Sequence, residues 1–129
     1  MSKYPENLKY TRDHEWLKIE GNVALIGITD YAAEQLGDIV HAELPSIDQE
    51  FDQGTSFGVL ESVKSVSDIY IPLKGKVVDV NSLLVENSGL LNEDPYQEGW
   101  LVKIEVIDEE GLDQLMSAEG YESFLSEEA

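Results

Sequence analysis

Residues 57–73 read FGVLESVKSVSDIYIPL. Two β-rich runs flank a short polar centre, which is the pattern of a hairpin. The centre, Glu61-Ser62-Val63-Lys64-Ser65-Val66-Ser67-Asp68, is a near-mirror: Val63 stands against Val66, Ser62 against Ser67, and Glu61 against Asp68. This register leaves Lys64 and Ser65 as the loop. Two-residue loops favour Gly, Asn or Asp, because the primed turns need positive φ. Lys-Ser offers none of these, so a type I turn or a slightly wider loop is expected. Glu61 and Asp68 then oppose each other across the ladder, which is mildly unfavourable. All of this surrounds one of only eight basic residues in the chain.

Outward from the hairpin, short strands dominate. EWLKIEGNVALIGI carries apolar residues on both sides of Glu20-Gly21-Asn22, a second hairpin signal. TDYAAEQLG changes to helical spacing, with Thr29 as N-cap, Asp30 at the positive helix start and Gly37 at the stop. DIVHAEL, ending at Pro45, reads as a strand, as does KVVDV after Gly75. Pro72 implies an edge or a bend after VSDIYIPL. SIDQEFDQGT and NSLLVENSGLLNEDPYQEG read as turn-rich connections. WLVKIEV is the last strand, with Trp100, Val102, Ile104 and Val106 on one face. A helical end over 109–127 carries the stripes Leu112, Leu115, Met116 and Tyr121, Phe124, Leu125, expected to pack on the body. The segment from Gly37 echoes the segment from Gly75, and FGVLESV echoes WLVKIEV. Two similar halves point to a mainly β sandwich or flattened barrel of two half-sheets.

The totals narrow the function. The 129 residues fit one domain, 1–129, large enough to bury a core unaided. The absence of cysteine excludes thiol nucleophiles, disulfides and zinc–thiolate sites, so sulfur chemistry needs an attached group. A net charge of −19 argues against nucleic acid and against anionic membranes, and it favours solubility and basic partner surfaces. No apolar run approaches a membrane span. MSKYPENLKYTRDHEW has no apolar signal core and is not an acid-poor transit sequence, so a cytoplasmic, bacterial-type protein is expected, with a mature organellar form as the alternative. His14 and His41 are too far apart to make a metal site. His14 reads as structural, His41 as a surface residue, and Trp16 and Trp100 as core.

A lysine on a hairpin tip is ordinarily a solvated charge. Here strong β flanks, mirrored small and acidic neighbours, and a place between two half-repeats favour an amine presented for covalent modification. ESVKSVSD resembles the lipoyl-attachment hairpin of the glycine cleavage H-protein family. KYTRDHEW, GITDYAAEQLGDIV, ELP, FGVLESVKSVSDIYIPLKGKVVDVN, LLNEDPY and GWLVKIE resemble that family's blocks in the same order, over roughly residues 9–105. SIDQEFDQG and the Asn-Ser of LVENSGLLN depart from the usual loops.

The resemblance implies a lipoyl-domain-like, barrel-sandwich fold with one short internal helix and a C-terminal helix. It implies lipoic acid in amide linkage on Lys64, within a hairpin spanning 57–73. It implies a carrier and not a catalyst. The arm takes the aminomethyl group of glycine from a PLP-dependent glycine decarboxylase to a tetrahydrofolate-dependent aminomethyltransferase, and dihydrolipoyl dehydrogenase, a flavin enzyme, reoxidises it. A lipoate-attaching enzyme completes the partners, and a monomer serves a shuttle best. The carried group bears a protonated amine that water would release early, so a sheltering cleft should offer a carboxylate and an apolar wall. The resemblance puts that carboxylate on Glu15, with Asp13 and Asp68 as further candidates; the alternative for Glu15 is a solvated charge on a strand. Glu61 and Asp68 are also candidates for recognition during attachment. Other readings are a lipoyl relay, another acyl or biotinyl carrier, or a small acidic interaction protein. Biotin sites usually flank the lysine with Met, whereas here Val63 and Ser65 do so.

Overall fold

The computed structural model describes residues 5–108 and 111–128. The chain runs through β1 (Lys9–Tyr10), β2 (Glu15–Glu20), β3 (Val23–Ile28), α1 (Asp30–Leu36), β4 (Ile39–Glu43), β5 (Glu50–Phe51), β6 (Ser56–Ser62), β7 (Val66–Tyr70), β8 (Lys74–Val80), α2 (Leu83–Glu86), α3 (Leu90–Glu93), β9 (Val102–Asp108) and α4 (Ala118–Glu128). All strand pairs are antiparallel. They form a six-stranded sheet, β1-β2-β3-β9-β8-β5, and a three-stranded sheet, β4-β6-β7. The first echoing half supplies the β4–β6 pair of the small sheet and the second the β8–β9 pair of the large one, while short β5 of the first half crosses over to pair with β8.

The main core lies between the sheets. Leu17, Ile26, Leu60, Ile71, Leu73, Val77 and Ile104 are all buried there. Alternation along the strands places Leu17, Ile26, Leu60, Val77 and Ile104 on the inner faces, Ile71 and Leu73 enter from the β7–β8 connection, and their burial is what holds the layers together. A second cluster of Leu8, Tyr10, Trp16, Ala118 and Tyr121 anchors α4. The Trp16 ring lies over its cross-strand partner Gly27, where an added Cβ would fall 2.4 Å from the indole. Only glycine permits that approach, and the indole N–H donates to the Pro95 carbonyl at 2.9 Å.

Helix α1 starts and stops as the sequence predicts. Thr29 accepts the Ala32 N–H, and Gly37 closes the last turn with a φ of 81°. Tyr96 fastens the helix start: its hydroxyl donates to Asp30 Oδ1 at 2.9 Å and accepts the Asp30 N–H at 3.1 Å. Burial, above all, lifts that hydroxyl's pKa well above its ordinary value. The connection 81–99 contains two single-turn helices, α2 and α3, which turn residues alone do not predict. Buried Leu84 and Leu91 pin them to the core. In the departing loop, Ser88 Oγ donates to the Ile39 carbonyl at 3.0 Å and Asn92 Oδ1 accepts the Ile39 N–H at 3.0 Å. The outer edge of β4 is thereby capped.

Two expectations shift. Trp100 precedes β9 and packs with the second cluster instead of lying on that strand's inner face. The C-terminal segment is not one helical run. A single 3-10 turn covers Leu112–Gln114; the chain then extends so that Tyr10 and Met116 exchange two 2.8 Å backbone bonds before α4 begins. That bridge uses the N–H and C=O a continuous helix would need. Residues 109 and 110 of the expected segment lie outside the described residues. Both apolar stripes pack on the body, Leu112 and Leu115 against the main core and Tyr121, Phe124 and Leu125 in the second cluster. No helix among the described residues is long and apolar enough to cross a membrane.

Candidate functional site

The hairpin turn closes where the Ser62 N–H donates to the Ser65 carbonyl at 2.8 Å. Its central residues are therefore Val63 and Lys64, not Lys64 and Ser65. Neither has a positive φ, so the turn is not of the primed kind. Ser62 makes it workable: its Oγ accepts the Lys64 N–H at 3.3 Å and the Ser65 N–H at 3.0 Å, the local hydroxyl bonding that substitutes for Gly or Asn. The Val63 N–H donates to the Asp38 carbonyl at 3.0 Å, tying the tip to the loop after α1.

One residue of shift in the turn moves the pairing by two. Glu61 opposes Val66, and Asp68 opposes Val59. Glu61 and Asp68 share a face two residue pairs apart, so the expected head-on repulsion is absent. On its other side Glu61 faces exposed His41. Asp68 is exposed and accepts the Ser56 hydroxyl at 3.2 Å.

Lys64 is exposed and makes no ion pair among the described residues. Its side chain passes over Gly37, where a Cβ would lie 3.4 Å from Lys64 Cε. The stop residue of α1 is thus also the floor beneath the lysine. Leu36, the residue before Gly37, lines a cavity of about 150 Å³, and Lys64 itself is not on that lining. Ile28, Ala32, Leu36, Leu60 and Ile69 form the cavity's apolar walls; Asp13, His14, Glu15 and Asp68 are polar residues on its lining. Three of the four acidic candidates therefore converge on one cleft. Glu61 does not line it.

Glu15 is not a solvated strand charge. It is 2% exposed. Its Oε2 accepts the Tyr70 N–H at 2.9 Å and its Oε1 accepts the Thr11 hydroxyl at 3.1 Å. Burial pushes its carboxyl up to about 8; Tyr70 opposes the rise, neighbouring Asp13 adds to it, and Thr11 opposes it. Asp13 and Glu15 also line a second cavity of about 220 Å³ behind the β1–β2 loop. His14 is structural, with a φ of 68°, a ring nitrogen 2.8 Å from the Tyr121 hydroxyl and a ring contact to Tyr31. Sequence reading missed Thr11, Ser62, Tyr70 and the second use of Gly37. Thr11, four residues before Glu15 in KYTRDHEW, carried a usable signal as a hydroxyl at a tight loop. The backbone N–H of Tyr70 carried none.

The family model described as "Glycine cleavage H-protein" matches residues 8–128. The chain belongs to the glycine cleavage H-protein family. A glycine cleavage system H protein from Carboxydothermus hydrogenoformans is 54% identical over 128 residues, covering 99% of this chain and 98% of that protein. One from Halothermothrix orenii is 54% identical over 123 residues, covering 95% and 96%. The crystal structure of a glycine cleavage system H protein from Mycobacterium marinum superposes with a TM-score of 0.88 at 34% identity, covering 95% of this chain and 99% of that one. The fold is the family's barrel-sandwich, and the family is the lipoyl carrier of the glycine cleavage system, a carrier component and not a catalyst. As an H-family protein, the chain works with the enzymes of that system.

Proposed function

We propose that the whole chain acts as one lipoyl-carrier domain, with Lys64 as its attachment point and the Asp13–Glu15–Asp68 cleft as the shelter for the arm. The single observation that supports this best is the placement of Lys64: an exposed amine on a clamped turn, its alkyl chain over side-chain-free Gly37, whose neighbour Leu36 lines a cleft with apolar walls and a buried carboxylate. The residues present fit the group, because an acyl chain meets Leu36, Leu60 and Ile69 while polar matter meets Glu15. When bound, the dithiolane supplies the redox-active sulfur pair that this cysteine-free chain lacks.

The chain's own residues present, shelter and release. Ser62 and Asp38 hold the tip rigid, so the amine is offered in one place. Burial holds the Glu15 carboxyl up at about 8; an ammonium group entering the cleft offsets that desolvation and draws it toward its charged form. The apolar walls exclude water around that pair. We place glycine decarboxylase, aminomethyltransferase, dihydrolipoyl dehydrogenase and a lipoate-attaching enzyme as the partners, with Glu61 and Asp68 on the exposed hairpin face available to the last of these. The −19 charge steers docking onto basic surfaces and keeps complexes brief at cellular salt.

The test is the intact mass of the protein purified from its own cells, beside Lys64→Ala. A shift of one lipoyl group on the wild type and none on the variant is expected. An unmodified wild type from lipoylating cells would overturn the reading. A reconstituted glycine decarboxylation assay then separates a cleavage-system carrier from a relay.

A further inference from the structure

A buried carboxylate at the start of a strand has to be aimed, and the group that aims Glu15 lies on its own loop. Thr11 Oγ1 is 3.1 Å from Glu15 Oε1. The same hydroxyl oxygen is 3.1 Å from the Glu15 N–H and 3.2 Å from the Asp13 N–H. Both backbone groups can only donate, so they occupy the hydroxyl's lone pairs. The single Thr11 proton is thereby directed to Glu15 Oε1. Oε2 is held from the other side by the Tyr70 N–H. The loop in turn holds Thr11, whose N–H donates to the Glu15 carbonyl at 3.0 Å and whose carbonyl accepts the His14 N–H at 3.1 Å.

We propose that Thr11 is a positioning residue for the arm cleft, its hydroxyl orienting the Glu15 carboxylate so that an acceptor stands ready at the polar wall. This rests on reading Glu15 as the carboxylate of that cleft. A hydroxyl donor also favours the charged carboxylate over the acid, against the burial that favours the acid. Serine supplies the same bond; valine matches threonine in shape and supplies none. The titratable and charged groups that share Glu15's two cavities are Asp13, His14 and Asp68 on the cleft side and Arg12, Asp13 and Tyr70 behind. They remain in place in every variant below.

The experiment follows the Glu15 side-chain carboxyl by carbon-13 NMR in the full, unmodified chain, with the resonance assigned by its loss in Glu15→Gln. In Thr11→Val the titration midpoint rises by about one pH unit relative to wild type, the worth of one hydrogen bond to a charged group. In Thr11→Ser it stays within a few tenths of a unit. Within the wild type, the Thr11 Cβ shift follows the Glu15 midpoint, a readout that survives if the valine variant fails to fold. A midpoint unmoved by valine, a serine variant that behaves like valine, or a Thr11 Cβ shift that ignores Glu15 would each overturn the proposal. No group on Lys64 enters this measurement, so its outcome is separate from that of the attachment test.

Discussion

The Glu15 carboxylate accepts the Tyr70 backbone N–H at 2.9 Å. Glu15 opens β2 in the six-stranded sheet, and Tyr70 ends β7, an edge strand of the three-stranded sheet. One side chain therefore satisfies a donor on an open edge and joins the two layers at the cleft. Its burial has a consequence for stability. The folded-state pKa is raised from 4.5 to about 8, so the folded chain binds this proton more tightly than the unfolded chain does. The stabilisation is complete below about 4.5 and is lost as pH rises through about 8. Relative to Glu15→Gln, which does not titrate, wild type should lose on the order of 5 kcal/mol across that window. Urea unfolding of both proteins at several pH values measures this. A stability difference that does not vary with pH would contradict it.

Gly37 has a φ of 81° and a ψ of −157°, a region almost confined to glycine. Gly37→Ala should cost about 1–3 kcal/mol by backbone strain alone. The new methyl meets Lys64 Cε at 3.4 Å, an ordinary van der Waals contact with the end of a flexible side chain, so the rate of attachment to the folded variant should change little. Chemical denaturation reads the first effect and mass-resolved lipoylation rates the second. Full stability in Gly37→Ala would rule out the strain.

Tyr121 is fully buried, stacked on Tyr10 with ring centroids 4.9 Å apart, and its hydroxyl lies 2.8 Å from both His14 Nδ1 and Thr29 Oγ1. Thr29 caps α1, which lines the cleft, and His14 sits in the opposite wall. Helix α4 thus clasps both walls. Tyr121→Phe keeps the stack and removes both hydroxyl contacts, with an expected loss of about 1–3 kcal/mol for the two hydrogen bonds. Backbone amide exchange at Ala32 and Ala33 should quicken in the variant. Unchanged exchange there would show that α4 does not brace the cleft.

Steering by the acidic surface makes docking sensitive to salt. Raising ionic strength from about 0.05 to 0.5 M, which shortens the screening length severalfold, should slow association with the decarboxylase while the dissociation rate changes little. Stopped-flow association measured across that range tests it, and a salt-independent association rate would remove steering as an explanation.

The hairpin, α1 with both its caps, and the β4–β6 and β8–β9 halves were legible in the sequence, because each is specified by residues close together in the chain. Thr29 and Gly37 mark their helix by local bonding, and alternation marks each strand's buried face. The turn was displaced by one residue because the symmetry of ESVKSVSD says nothing about the Ser62 hydroxyl, which accepts two N–H groups and moves the turn centre to Val63–Lys64. Helices α2 and α3 were not legible: single turns have no period to read, and only burial of Leu84 and Leu91 holds them.

For the site, the chain alone marked Lys64 as an amine offered for modification; its family resemblance singled out Glu15, and position in the chain added Asp13 beside it and Asp68 at the base of the hairpin. Tertiary structure decided what those residues are. It brought positions 13–15, 28–36 and 60–69 around one cavity, left Glu61 outside it, and laid Lys64 over Gly37. It turned Glu15 from a strand charge into a buried carboxyl that accepts two hydrogen bonds and whose pKa burial raises to about 8. Residue type and spacing fix local geometry and exposure. Desolvation depends on what the rest of the chain brings to the same place, and no local pattern contains that.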